Sequence, residues 1–174
     1  EYLRQTPTAA GCISKKNPNK VWHVNYLHMC HFYTYDIFYH PVFYEFDWIF
    51  RLDADSGLAR SIPCDPFDIL EAGGKVFGYY KKERQEVGCA AGFHEKVTTE
   101  YMKSLDLAFK HEVRKEDAYL GAFHVFKTAF FTKREVLDFW DWVDETSVAY
   151  ETRTGEQAVV PYALGLYANH SELH

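Results

Sequence analysis

Hydrophobic spacing along the chain switches several times between helical and strand periods, and the switches mark its elements. Residues 22–39 contain neither Gly nor Pro and carry aromatic side chains on most faces. That pattern predicts a largely buried helix, ended at His40-Pro41 because the residue before a proline avoids the helical region. Residues 46–52 are short, aromatic and β-branched, as expected of a strand inside a sheet. A loop with Gly57 and Pro63 follows, and Asp65-Pro66 has the form of an N-cap before proline at the first helical position. Gly73-Gly74 stops that helix, and residues 75–80 read as a second strand.

Residues 81–95 are charged and then small, which predicts a flexible excursion over the sheet face. Residues 96–110 predict a helix with Tyr101, Leu105 and Phe109 on one side, and 119–126 a third strand whose apolar run Phe130 and Phe131 continue. Thr132-Lys133-Arg134-Glu135 matches a capping box ahead of Val136, Phe139, Trp140 and Val143. Thr154-Gly155-Glu156-Gln157 offers a second box before Ala158, Val159, Tyr162, Ala163 and Leu166. Residues 1–20, punctuated by Pro7, Gly11 and Pro18, predict an irregular lead-in. Strands alternating with helices over 174 residues indicate a single α/β domain, residues 1–174.

Two carboxylates close the first strand: Asp53-Ala54-Asp55. A strand's carboxyl end lies at a sheet rim, where α/β folds bind ligands. Hard carboxylate oxygens held there can grip a divalent cation, and a cation can bridge a diphosphate and absorb the charge of a departing nucleotide. A surface turn accounts equally for an isolated D-x-D triplet; the strand before this one gives it weight.

Composition narrows the field. A net charge of −6 argues against nonspecific nucleic-acid binding, which needs basic surface to displace counterions. Aromatic residues make up 18% of the chain; most suit core packing, and some would suit a sugar-stacking groove. Cys12, Cys30, Cys64 and Cys89 form no C-x-x-C pair, so neither a zinc site nor a dithiol redox motif is supported, although an even count permits two disulfides. No stretch approaches the roughly 20 apolar residues that span a bilayer. The chain begins with Glu1, so a processed form or fragment is expected, with any signal or membrane anchor outside it. There is no G-x-S-x-G elbow, Walker loop, G-x-G-x-x-G or H-E-x-x-H.

In these motifs the chain resembles the fungal alpha-1,2-mannosyltransferases of the KRE2/MNT1 type. Tyr26-Leu27-His28-Met29-Cys30-His31-Phe32 is similar to the family's Y-R-x-M-C-R-F, and Arg51-Leu52-Asp53-Ala54-Asp55 stands where the family has R-V-E-P-D. Asp65-Pro66-Phe67 and Lys75-Val76-Phe77-Gly78 match its D-P-F and K-V-Y-G, and Asp138-Phe139-Trp140 and Gly155-Glu156 extend the likeness to about residue 165. The resemblance implies a GT-A-like fold, a mixed central sheet flanked by helices. It further implies metal-dependent transfer of a hexose, mannose in the family, from a nucleotide-sugar donor such as GDP-mannose to a hydroxyl of a glycan or glycoprotein. Asp53 and Asp55 would hold Mn²⁺ or Mg²⁺, and Tyr26 and Arg51 would orient the donor. Glu156 would serve as the catalytic carboxylate at the acceptor. A Golgi or secretory-pathway location follows from the same likeness.

Each residue also has a plainer role. Tyr26 suits a core aromatic, Arg51 a strand-end ion-pair partner, and Glu156 a first-turn acid facing the helix dipole. Glu116-Asp117 sits in a charged run and reads as a solvated patch, and His124 as a satisfied core histidine. The chain departs from the family at three points. His31 replaces an arginine, exchanging a permanent cation for a group that titrates near neutrality. The family's proposed nucleophile falls near Ala129, and its metal-binding histidine matches neither His170 nor His174. Only 52 residues precede Asp53, so the nucleotide-base pocket is either reduced or formed by an upstream half outside this sequence. Two alternatives stay open: a non-catalytic GT-A-like sugar-binding or complex subunit, and a transferase using a UDP-linked sugar.

Overall fold

A computed structural model describes residues 24–84, 87–152 and 154–173; the lead-in 1–20 and Cys12 lie outside the described residues. The first helix is wound as α over Val24–His31 (α1), as π over Phe32–Asp36 and as α again over Ile37–Tyr39 (α2). It ends at His40 as predicted, where the backbone turns extended before Pro41. It is half-buried rather than largely buried. Cys30, Thr34 and Phe38, spaced by four, form its inner stripe, while Met29, Phe32 and Tyr39 face solvent.

Strand β1 (Trp48–Leu52) pairs antiparallel with β5 (Phe123–Lys127), which pairs antiparallel with β2 (Phe77–Tyr79). Thus β1 is an edge of the three-stranded sheet among the described residues, not an inner strand. A second, two-stranded sheet joins β3 (Lys82–Arg84) to β4 (Asp117–Tyr119), again antiparallel. The architecture is α/β, with antiparallel pairing throughout the described residues where a mixed sheet was expected.

Helix α3 (Pro66–Ala72) starts where its cap predicted: Asp65 Oδ1 accepts from the Phe67 amide at 2.8 Å. It stops at Gly73, and Gly74 takes the left-handed φ of 63° that suits glycine. Residues 81–95 hold β3 and most of α4 (Val87–Lys96) rather than a loose excursion. The small residues that suggested flexibility serve close packing instead: a Cβ on Gly92 would sit 3.2 Å from Thr152 Cγ2. The helix continues as π over Val97–Tyr101 and ends with α5 (Met102–Ser104), short of the expected residue 110. Leu105 is exposed, and Asp106 turns left-handed at φ 51°. Phe109 lies beyond the helix, on the segment that runs against α9 (Glu156–Tyr167), where a Cβ on Gly165 would collide with Val113.

The run 119–126 divides between two sheets at Gly121, because the chain there passes the first turn of α9; a Cβ at Gly121 would stand 2.7 Å from Glu156 Oε1. Phe130 and Phe131 lie on α6 (Thr128–Phe131), and both are buried. Neither capping box forms. Thr132 Oγ1 donates to the Thr128 carbonyl at 2.8 Å and Thr154 Oγ1 pairs with Thr152 Oγ1 at 2.8 Å, so α7 (Arg134–Glu145) and α9 start without a side-chain cap.

The predicted stripe Val136, Phe139, Trp140 and Val143 of α7 is buried as expected, with Phe38 stacked on Trp140 at 4.8 Å. Helix α9 is buried on nearly every face, so its Tyr162 and Leu164 reach core neighbours on opposite sides. The short α8 (Val148–Glu151) and α10 (His170–Leu173) complete the described chain. This core holds the start of α9 against the end of β1.

Candidate active site

Strand β1 points Arg51 inward and then delivers Asp53 at the sheet rim, where Asp53 N bonds to the Ala122 carbonyl at 3.3 Å. Arg51 Nε and Nη2 both donate to Asp53 Oδ1, at 3.2 and 3.0 Å. Its Nη1 donates to Glu156 Oε1 at 3.0 Å. The Arg51 and Glu156 side chains are 3% and 2% exposed, the Asp53 side chain 36%. Glu156 opens α9 after Gly155, and bare backbone at Gly121 lets it lie this close. One guanidinium therefore faces two carboxylates, and the cluster keeps a net negative charge. Glu156 Oε2 is buried with no hydrogen-bond partner.

Tyr26, Cys30 and Tyr33 line the face of the first helix that meets this cluster, at i, i+4 and i+7. A Cβ on Gly155 would lie 3.3 Å from Cys30 Sγ and 3.9 Å from the Tyr26 hydroxyl. Burial, and then the Glu156 charge, push the Cys30 thiol up to about 12, so it stays protonated. Burial, followed by the charges of Cys30 and Glu156, raises the Tyr26 phenol well above its usual range. The Tyr33 ring lies 3.6 Å from Arg51 Cζ. Sequence reasoning singles out Tyr26 and passes over Cys30 and Tyr33, although their helical spacing from Tyr26 was there to read.

Asp55 sits exposed in the turn after Asp53, which Ser56 N closes by bonding to the Asp53 carbonyl at 2.9 Å. Both Arg51 contacts fall on Asp53 Oδ1, which leaves Oδ2 for a ligand. No group of three or more metal-ligating side chains occurs among the described residues. Two carboxylates still fit a hard divalent cation that takes its other ligands from water and a diphosphate. Beside β1, Phe50, Ile62, Pro63, Cys64, Asp65, Pro66 and Phe67 line an open cleft of about 520 Å³.

The remaining candidates fall elsewhere. His31 bonds Asp144 at 2.7 Å and Asp36 at 3.1 Å, tying α1 to α7. Asp117 is buried rather than solvated, paired with Lys82 at 2.9 Å and accepting from Arg114 N. His124 faces Arg51 across the β1–β5 pairing. It is a core histidine as expected, but neither ring nitrogen is satisfied by a hydrogen bond of good geometry. Burial first, and Arg51 second, push it down to about 3, partly opposed by the Tyr119 backbone; it is neutral. Ala129 is exposed on α6, His170 is exposed at the start of α10, and His174 lies outside the described residues. Cys30 and Cys64 are free thiols, and the side chain of Cys89 lies outside the described residues.

No family model matches the sequence. The chain is 25% identical over 162 residues to the probable mannosyltransferase KTR3 of Saccharomyces cerevisiae, covering 87% of this chain and 40% of that protein. The mannosyltransferase Ktr4p of S. cerevisiae, solved in complex with GDP, superposes with a TM-score of 0.74 at 17% identity over 86% of this chain and 43% of that one. Core-mannan synthase A of Aspergillus fumigatus, solved in a Mn/GDP form, superposes with a TM-score of 0.76 at 14% identity, covering 89% and 48%. The resemblance to the fungal mannosyltransferases holds. The fold is the expected GT-A-like one. The chain spans about 40% of the length of the curated relative.

Proposed function

We propose that this chain carries part of the active site of a metal-dependent glycosyltransferase that moves mannose from GDP-mannose to a sugar hydroxyl. The observation that carries the reading is the Asp53 carboxylate, held at the end of β1 by buried Arg51 through one oxygen, with Asp55 in the adjoining turn. Relatives named as mannosyltransferases, and neighbours solved with GDP and with Mn/GDP, support the donor and the cation. Asp53 and Asp55 would hold Mn²⁺ or Mg²⁺, which supplies charge neutralisation for a departing diphosphate.

The protein's own groups then divide the work. Arg51 is enclosed by Asp53, Glu156 and Tyr33, so it acts on the donor through the Asp53 carboxylate it orients. Glu156 has both oxygens buried, so it would serve by holding the Arg51 guanidinium through Oε1, and contact with an acceptor hydroxyl would require the cover over Oε2 to move. Tyr26, held protonated, lies on the same helix face and would contact the donor sugar. The secretory-pathway lumen is the compartment we assign from the resemblance; no helix among the described residues is long and apolar enough to cross a membrane. Replacing Asp55 with Ala lowers GDP release from GDP-mannose by orders of magnitude while the circular dichroism spectrum is kept; release at the wild-type rate refutes the reading.

Ala129 in the nucleophile slot favours a second reading, a GT-A-like subunit that binds sugar without transfer. Saturating donor and acceptor separate the two. The subunit binds GDP-mannose with no turnover, whereas the enzyme releases GDP.

A further inference from the structure

Resting on the reading of Asp53 as a cation ligand, we propose that Tyr33 is a positioning residue of that site: its ring keeps the Arg51 guanidinium fixed and dry, so that Asp53 presents Oδ2 alone to a divalent cation. Three of the guanidinium nitrogens' bonds are committed in its plane, two to Asp53 Oδ1 and one to Glu156 Oε1. An in-plane network leaves the flat face of the group open, and that is where the Tyr33 ring lies, 3.6 Å from Cζ. Glu156 is buried, but Asp53 is one-third exposed, so water enters from the Asp53 side. Tyr33, itself half-buried, covers the guanidinium on that helix face.

Local winding supports a dedicated placement. Tyr33 is the second residue of the π turn Phe32–Asp36, between the α turns of α1 and α2. Isolated π turns inside α-helices are uncommon and concentrate at functional sites. With Tyr26 and Cys30 against Gly155 and Glu156, Tyr33 completes a single helix face turned to the cluster. Stripped of the ring, Arg51 is hydrated on its face, its hold on Asp53 Oδ1 is screened, and the one-third-exposed carboxylate is free to rotate away from the cation. The contact uses the ring, so phenylalanine should replace it.

The test is a titration of the chain with Mn²⁺ in the presence of GDP, following free Mn²⁺ by electron paramagnetic resonance, with folding checked by circular dichroism. Tyr33→Phe binds as the wild type does, and Tyr33→Leu binds roughly three- to thirtyfold more weakly, the range of a partly desolvated cation–π contact. Tyr33→Gln serves as a second ring-free variant should the leucine form fold poorly. Wild-type affinity in both ring-free variants, with Asp53→Asn abolishing binding, overturns the role of Tyr33 and leaves the cation site standing. A phenylalanine variant as weak as the leucine one also overturns it. A wild-type chain that takes up no Mn²⁺ with GDP present removes the cation site and this inference together.

Discussion

Arg51→Met separates what the buried ion pair does for stability from what it does for the site. The Arg51 and Glu156 side chains are 3% and 2% exposed, so their interaction escapes solvent screening. Losing one partner of such a pair leaves the other buried and uncompensated, at a cost of about 3–5 kcal/mol. The Asp53 arm is one-third exposed and adds at most about 1 kcal/mol. The single variant should therefore lose about 4 kcal/mol in urea unfolding at pH 7, nearly all of it from the stranded Glu156. Adding Glu156→Met removes the stranded charge, and the double variant should recover to within about 1–2 kcal/mol of the wild type, since apolar groups of similar volume replace a buried pair with little penalty. Its Mn²⁺ affinity should stay low, because Asp53 has lost its anchor. A single variant that loses under about 1 kcal/mol, or a double variant no more stable than the single one, refutes the argument.

Three further outcomes follow from single positions. Gly121→Ala places a Cβ 2.7 Å from Glu156 Oε1, so it should cost about 1–3 kcal/mol and weaken Mn²⁺ binding without removing any polar group, read by urea unfolding and metal titration. His124 titrates near 3 in the fold against 6.5 in an exposed chain, so the unfolded state takes up the proton first as pH falls. Its contribution is intact above pH 6.5 and is lost from there towards pH 3, at about 1.4 kcal/mol per pH unit; His124→Phe should flatten the wild-type slope of urea midpoints between pH 6.5 and 5. Asp65→Ala removes the cap of α3 and should cost about 1 kcal/mol in the same assay.

Local signals read well where chemistry is local. The Asp65-Pro66 start, the Gly73-Gly74 stop, the His40-Pro41 boundary and the buried stripe of α7 all depend on neighbouring residues, and all are in the structure. Elements decided by tertiary contacts read poorly. Gly88–Gly92 suggested a loop, yet α4 uses Gly92 to approach Thr152. The two Thr residues expected to cap α7 and α9 bond to nearer oxygens, and Glu156 reaches across to Arg51. Arg51, Asp53 and Glu156 were visible as candidates one by one. Their convergence was not, because it depends on Gly121 and Gly155 admitting the α9 terminus to the end of β1. Cys30 and Tyr33 stayed hidden because aromatic side chains on most faces of the helix obscured which face turned inward.

The proposed function stands or falls with a cation held by the carboxylates at the end of β1 together with a nucleotide diphosphate. Calorimetric titration of GDP into the chain, with and without Mn²⁺, tests it most directly. Binding should require Mn²⁺ and disappear in the Asp53→Asn/Asp55→Asn double variant. GDP binding that is equally tight without the metal, or that survives in the double variant, would contradict it.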